Sequence, residues 1–240
     1  MFEKFIEIVH QVYSWILPFT CISCERLADR PQDLCSACLK DLPILTQSCM
    51  SCGAEIFSTE LCGPCTLAPP AFSACYSLFE YRPPVTYMIH DLKFKHQLAN
   101  ARILGELMAE KIRTDWYYNK PLPELLVPVP LHPQRLKERG FNQALEIARP
   151  ISKRLQISLV SQAVTRIKNT SAQMNLDIPH RKQNIAKAFS LRQNVKNKHI
   201  AVIDDVMTTG HTVKELTKTL LQGGAHKVEI WCVARTKKLN

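Results

Sequence analysis

Eight of the ten cysteines fall in four close pairs, Cys21-x2-Cys24, Cys35-x2-Cys38, Cys49-x2-Cys52 and Cys62-x2-Cys65, separated by ten, ten and nine residues. Two thiolates two residues apart turn back toward one metal ion, and a tetrahedral structural zinc site takes two such pairs at Zn–S distances of about 2.3 Å. Eight thiolates therefore predict one or two structural Zn2+ ions. The intervening segments, ERLADRPQDL and GAEIF among them, are too short and too polar to build a core, so ligation itself supplies their folding energy. Three other uses compete. Disulfides are disfavoured by the absence of a secretory segment, a redox CxxC needs a single pair and a supporting sheet, and an iron–sulfur cluster takes the same thiolates. The pairing stays open: neighbouring pairs can share a metal, or the first pair can join the third and the second the fourth.

A second constellation lies near the other end of the chain, where HIAVIDDV is followed by MTTGHT. Gly210 permits an unusual dihedral and close backbone approach, and the free N–H groups that open the next helix point at the same spot. Thr208, Thr209 and Thr212 add hydroxyl donors. Asp204 and Asp205 cannot serve a phosphate directly, but they accept hydrogen bonds from sugar hydroxyls or orient hydrated Mg2+. The residues suit a sugar-phosphate or nucleotide site; the competing reading is a capped helix after a strand. No G-x-x-x-x-G-K-[ST] or G-x-G-x-x-G run is present.

These residues need a frame, and the last third of the chain supplies it. HIAVIDDV is an apolar strand run, TVKELTKTLLQ a helix stopped by Gly223-Gly224, and VEIWCVAR another apolar strand. Strands apolar on both faces predict a mainly parallel α/β sheet flanked by helices, with ligands at the carboxyl ends of the strands. Upstream, SACYSLFEY, LLVPVPL and SLVSQAVTR read as strands, while 83–118 and FNQALEIARPISKRL read as helical with Pro150 as an irregularity. RIKNTSAQMNLDIPHRKQNIAKAF has little periodicity and reads as a mobile lid or extended arm over about 166–188.

Composition divides the chain. Residues 1–75 hold four Lys/Arg, eight Asp/Glu and nine cysteines, whereas 76–240 hold 27 basic and 13 acidic residues and a single cysteine. The boundaries follow: an N-terminal helix and double CxxC module at 1–70, and a basic domain at 76–240, long enough for a full core. Phe2, Phe5, Ile6, Val9, Val12, Tyr13, Ile16 and Leu17 form one face of an amphipathic helix that packs on the protein or touches a membrane or partner. No run is apolar enough for a membrane span, and the expected compartment is the cytoplasm.

IAVIDDVMTTGHT at 200–212 resembles the phosphoribosyl-pyrophosphate (PRPP) motif of type I phosphoribosyltransferases, and VPVPLHPQRLKERGFNQA at 127–144 resembles the signature of their ComF/GntX branch. The CxxC module, LKFK at 92–95, and Arg166, Thr170, Gln173, Leu176, Arg181, Asn184 and Phe189 resemble the same branch, so the likeness covers nearly the whole chain. Ala201 stands where a larger aliphatic is common. The resemblance implies a type I phosphoribosyltransferase-like fold with a small cysteine-rich zinc module. It also implies that Asp204 and Asp205 hold ribose hydroxyls and that the loop Met207, Thr208, Thr209, Gly210, His211 and Thr212 takes the 5-phosphate. Arg135 and Arg139 would face the pyrophosphate, Lys93 would reach in from above, and Mg2+ would accompany PRPP. Cationic donors and magnesium are what a highly charged leaving group needs.

No residue is singled out as a catalytic base. His211 fits a freely variable loop position, His132 borders the pyrophosphate loop, and His199 and His226 flank strands. The branch's role is support of natural transformation, which implies a protein that binds PRPP or a related sugar phosphate and assists handling of imported single-stranded DNA, with DNA-uptake proteins as partners. The alternative is an active phosphoribosyltransferase in nucleotide or cofactor salvage; a zinc-stabilised scaffold with an unused pocket is a third. For single-stranded DNA the expected contact is Arg166, Lys168, Arg181, Lys182 and Lys187, since no run interleaves aromatics with Lys/Arg as a stacking platform would.

Overall fold

The computed structural model describes residues 19–57, 60–168 and 187–237. The N-terminal amphipathic segment, Thr170, Gln173, Leu176, Arg181, Lys182 and Asn184 lie outside the described residues.

Five parallel strands form the main sheet: β1 (Ala74–Glu80), β2 (Leu125–Pro128), β3 (Ser158–Leu159), β6 (His199–Met207) and β7 (Lys227–Arg235), in the order β1-β7-β6-β2-β3. β6 and β7 are central, and β7 is buried over eight consecutive residues from Val228, which is why both strands read as unbroken apolar runs. SLVSQAVTR does not form one strand. Its first part joins the sheet edge as β3, and after a turn its last part, β4 (Val164–Arg166), pairs antiparallel with β5 (Phe189–Leu191) in a separate hairpin.

Helices α3 (Val85–Phe94), α4 (Leu98–Lys111) and α6 (Gln143–Leu155) pack on one face, where Ile89, Leu104, Met108, Ile147 and Trp231 share a core. α4 runs on into a π-helical turn over Ile112–Trp116. α7 (His211–Gln222) covers the other face through Val213, Leu216 and Leu220. α6 continues through Pro150. The segment after VPVP, expected as a loop, is a short helix, α5 (Pro133–Arg139): Pro133 opens it, His132 caps it by accepting the Gln134 N–H at 3.3 Å, and left-handed Gly140 ends it.

The cysteine-rich segment, with short helices α1 (Ser36–Lys40) and α2 (Gly63–Leu67), packs directly on this domain. Leu34 and Leu42 enter the α3/α4 core, and Asp33 pairs with Arg102 on α4. Residues 43–50 run beside the edge strand β1, with Glu80 N–H on the Pro43 carbonyl, Leu45 N–H on Leu78 and Cys75 N–H on Met50, at 2.9, 2.9 and 3.0 Å. An edge that would otherwise offer free backbone groups to another chain is thereby covered.

Candidate functional site

The two halves of the cysteine module repeat one backbone design. Each first CxxC is followed by a left-handed residue, Glu25 at φ 61° and Gly53 at φ 67°. Each turn closes with the same two bonds: Cys21 N–H to Arg26 O and Glu25 N–H to Cys21 O in one, Cys49 N–H to Ala54 O and Gly53 N–H to Cys49 O in the other. Neighbouring pairs share a site: the ligand atoms of Cys21, Cys24, Cys35 and Cys38 lie within 4.8 Å of one another, as do those of Cys49, Cys52, Cys62 and Cys65. Cys24 and Cys35 Sγ are 3.8 Å apart and Cys52 and Cys62 Sγ 3.6 Å, close to the edge of about 3.8 Å that a tetrahedron with 2.3 Å Zn–S bonds requires.

Amides aim at the sulfurs too, Cys38 N–H at Cys35 Sγ and Cys62 N–H at Cys49 Sγ, at 3.5 and 3.3 Å. Burial raises the Cys21 thiol, but the amides of Cys35, Cys24 and Ser23 outweigh it and bring it down to about 6; those of Cys62, Cys52 and Ser51 likewise bring buried Cys49 to about 7. Burial, reinforced by the neighbouring thiols, pushes Cys38 and Cys52 up to about 12. One thiolate per cluster is thus stabilised by the fold, and a cation is what offsets the burial that holds Cys38 and Cys52 up. The donor set fits Zn2+.

At the carboxyl end of β6 the chain bears Asp204 and Asp205. Asp204 Oδ1 accepts the Asp205 N–H at 3.0 Å, and Asp205 Oδ1 accepts the Val206 N–H at 2.8 Å. Each carboxylate therefore spends one oxygen on the backbone and leaves the other for a partner. Burial, then Asp205, then the Cys232 thiol push the Asp204 carboxyl well above the usual carboxylate range, with Lys93 acting against them. Gly210 follows at φ 75° and opens α7. A Cβ there would meet only ordinary contacts with Met207 and Val213, so the dihedral rather than space calls for glycine. Thr208 and Thr209 are exposed, whereas Met207 is buried in the apolar cluster beneath the loop and contributes its backbone. His211, expected in a loop, is the first residue of α7 and half-buried, with Thr212 beside it.

Cations converge on this spot from three elements. Lys93, on α3, forms an ion pair with Asp205. Arg135 and Arg139 stand one turn apart on α5; burial lowers the Arg139 pKa, Arg135 lowers it further, and Asp205 acts in the opposite direction. Arg139 also donates to Gln143 Oε1 at 2.8 Å. The third element is β4, whose Arg166 is half-buried, lowered first by burial, held up by Asp204 and lowered again by Arg135. Sequence reasoning placed Arg166 with the nucleic-acid contacts; in the fold it also lies close enough to Asp204 for the carboxyl to act on its charge. Lys168 and Lys187 are exposed farther along the same hairpin. His132 is occupied as the α5 cap.

Sequence reasoning also missed an aromatic face. Tyr87, His90 and Phe94 recur at i, i+3 and i+7 on α3; Tyr87 is 65% and Phe94 60% exposed. The His90 and Phe94 ring centroids are 4.9 Å apart, and the Arg139 guanidinium lies 5.5 Å above Phe94. The helical spacing could have revealed the stripe, but only the fold brings Arg139 onto it.

Residues 12–66 match the double zinc ribbon domain family and residues 141–239 the phosphoribosyl transferase domain family. Over 223 residues the chain is 35% identical to the DNA utilization protein YhgH of Escherichia coli K12 and 34% identical to that of Salmonella typhi, covering 92% of this chain and 98% of each relative. It is 32% identical to competence protein F of Haemophilus influenzae, over 90% of this chain and 97% of that one. Among solved structures, the purine phosphoribosyltransferase of Pyrococcus horikoshii aligns with a TM-score of 0.37 and 16% identity over 57% of this chain and 75% of that chain.

Proposed function

This chain belongs to the ComF/YhgH-type family of competence and DNA-utilization proteins, and from that premise we propose that it binds PRPP or a related sugar phosphate with Mg2+ and assists the handling of imported single-stranded DNA in the cytoplasm. The observation that carries the ligand is the arrangement at the end of β6. Two carboxylates each keep an oxygen free of the backbone, a left-handed glycine opens a helix beside them, and Lys93, Arg139 and Arg166 act on the pair, with Arg135 close to both of those arginines.

In this reading Thr208–Thr212 and the first amides of α7 take the 5-phosphate. Asp204 and Asp205 accept from the ribose hydroxyls. Arg135 and Arg139 meet the pyrophosphate with charge-assisted hydrogen bonds. Asp204 and Asp205 would hold Mg2+, which would neutralise phosphate charge. Lys93 leaves Asp205 as the diol arrives and remains close enough to serve the pyrophosphate. The zinc ribbons hold the edge of the sheet. Among the described residues no helix is long and apolar enough to cross a membrane.

Calorimetry tests the ligand: PRPP with Mg2+ should bind at least about tenfold more tightly than ribose 5-phosphate, and the Asp204→Asn/Asp205→Asn variant should lose most of that affinity. Equal binding of the two ligands would remove the pyrophosphate from the reading. The second reading, a transferase in nucleotide or cofactor salvage, is favoured by the same intact aspartate pair. Release of pyrophosphate on adding a nitrogenous base or amine would select it.

A further inference from the structure

Arg235 closes β7 and is 3% exposed. Its Nε donates to the carbonyl of Cys52, a ligand residue of the second cysteine cluster, at 3.1 Å. Its Nη1 donates to the carbonyl of Met207 at 2.6 Å and to that of Thr208. One buried guanidinium therefore joins the second metal cluster to the two peptide groups that lead into Thr208 and Thr209. We infer that Arg235 is a positioning residue through which occupancy of the second zinc site sets the shape, and hence the affinity, of the phosphate loop. The affinity part rests on the ligand reading above; the loop geometry does not.

The contacts around the bridge are tight. Gly53, the left-handed residue after Cys52, lies flat on β1: a Cβ there would overlap Ser77 Oγ and come within 2.9 Å of Cys75 Sγ. Cys75 N–H donates to Met50 O at 3.0 Å, so the backbone on both sides of Cys52 is held to the sheet. Met207 and Arg235 face each other in the β6–β7 register, which brings the loop to the guanidinium. The first cluster is anchored elsewhere, through Asp33 on Arg102 and Gln32 on Glu106, both on α4. Among the described residues, only the second cluster is joined to the loop by this guanidinium.

Geometry makes the bridge sensitive to the metal. All three acceptors of Arg235 are backbone carbonyls, so the guanidinium holds the loop only where the backbone places them. Cys52 belongs to the second cluster through its sulfur and to the bridge through its carbonyl. Without the metal the Cys52 sulfur has no ligand bond, and its carbonyl is no longer fixed from the sulfur side. Lysine cannot replace the planar fork, because a point charge does not hold three acceptors in fixed directions. Coupling of this kind is reciprocal, so ligand should also slow loss of the second zinc.

The test uses the full chain and three variants, with zinc content by elemental analysis, PRPP–Mg2+ affinity by calorimetry, and amide exchange over residues 207–213. Cys65→Ser should lose one zinc, bind about tenfold more weakly and exchange about tenfold faster in the loop. Cys38→Ser should also lose one zinc, with loop exchange several-fold nearer wild type than that of Cys65→Ser. Arg235→Lys should keep both zinc ions and still show the faster loop exchange, which a purely stabilising role of zinc would not produce. If Cys65→Ser does not fold, Gly53→Ala displaces the knuckle with every ligand kept and should reproduce the loosening. Equal loop exchange in Cys65→Ser and Cys38→Ser, or wild-type exchange in Arg235→Lys, would overturn the coupling. Absence of PRPP binding by the wild type would overturn the ligand reading alone, since loop exchange still reports the bridge.

Discussion

Lys93 on α3 and Asp205 at the end of β6 form an ion pair in which both side chains are largely buried, 20% and 13% exposed. The pair ties the helical layer to the candidate site and neutralises one of two adjacent carboxylates. Replacing Lys93 with methionine keeps its apolar stem and leaves Asp205 unpaired beside Asp204. We expect Lys93→Met to bind PRPP about tenfold more weakly while its apparent affinity for Mn2+ alone rises, because the Asp205 carboxylate that Lys93 neutralises is then open to a divalent cation. Titrating each ligand into the variant separates the effects; a parallel fall in both would mean that the lysine only stabilises the fold.

Asp204 gives a trade-off between stability and binding. Its carboxyl is raised, first by burial, so the folded state holds a proton that the unfolded chain releases above about pH 3.9. With more protons on the native state, stability falls as pH rises through that window, until the folded carboxyl itself ionises. Asp204→Asn keeps the acceptor for the Asp205 N–H and removes the proton-binding group. The ligand-free variant should melt about 2–4 °C higher at pH 7.5 for each 1 kcal/mol recovered, with the gap narrowing toward pH 5, while PRPP binding is lost. A melting temperature at or below wild type across this range would contradict the assignment.

The metal clusters carry a prediction about assembly. Freshly reduced protein should hold two zinc ions per chain, one for each cluster of four cysteines. Chelation should release residues 43–50 from β1 and expose its edge, so the stripped protein should self-associate while its helical circular dichroism persists. Light scattering during chelator titration reads this directly; a monomeric apo-protein would show that residues 43–50 hold the edge without metal.

The frame was legible because local pattern and tertiary environment agree. HIAVIDDV and VEIWCVAR are apolar on both faces because β6 and β7 are central, and the cysteine spacing matches neighbouring pairs that share a site. Misreadings arose where short local signals compete. SLVSQAVTR is apolar enough for one strand, yet its turn divides it between sheet and hairpin. PQRLKERG looked like a loop because its helix is only seven residues long and depends on its caps. Arg139 was reached only through the resemblance, and nothing in the sequence put Arg166 near the aspartates, since charge patterning does not say which cation folds inward. Nor could the sequence place Arg235, whose three acceptors lie 27, 28 and 183 residues away along the chain.

Single-stranded DNA discriminates between two surfaces, and salt and stacking report on them differently. Each phosphate neutralised contributes a slope of about −0.7 in log affinity against log salt, whereas a base stacked on an aromatic ring contributes about 1–3 kcal/mol without changing that slope. On α3, Tyr87 and Phe94 are exposed, His90 adjoins Phe94, and Arg139 lies over it. Such a stripe can stack successive bases while Arg139 and Arg135 meet the backbone, without involving the segment beyond Lys168. We therefore expect Tyr87→Ala/Phe94→Ala to weaken binding of a fluorescent oligonucleotide by about tenfold or more at every salt concentration, with the slope unchanged. Arg139→Gln should flatten the slope by about 0.7 per lost contact. Lys168→Gln/Lys187→Gln should have little effect if α3 is the contact surface. If that pair flattens the slope while the aromatic variant binds normally, the strand lies along the polar segment as the sequence suggested, and α3 serves only as the roof of the phosphate site.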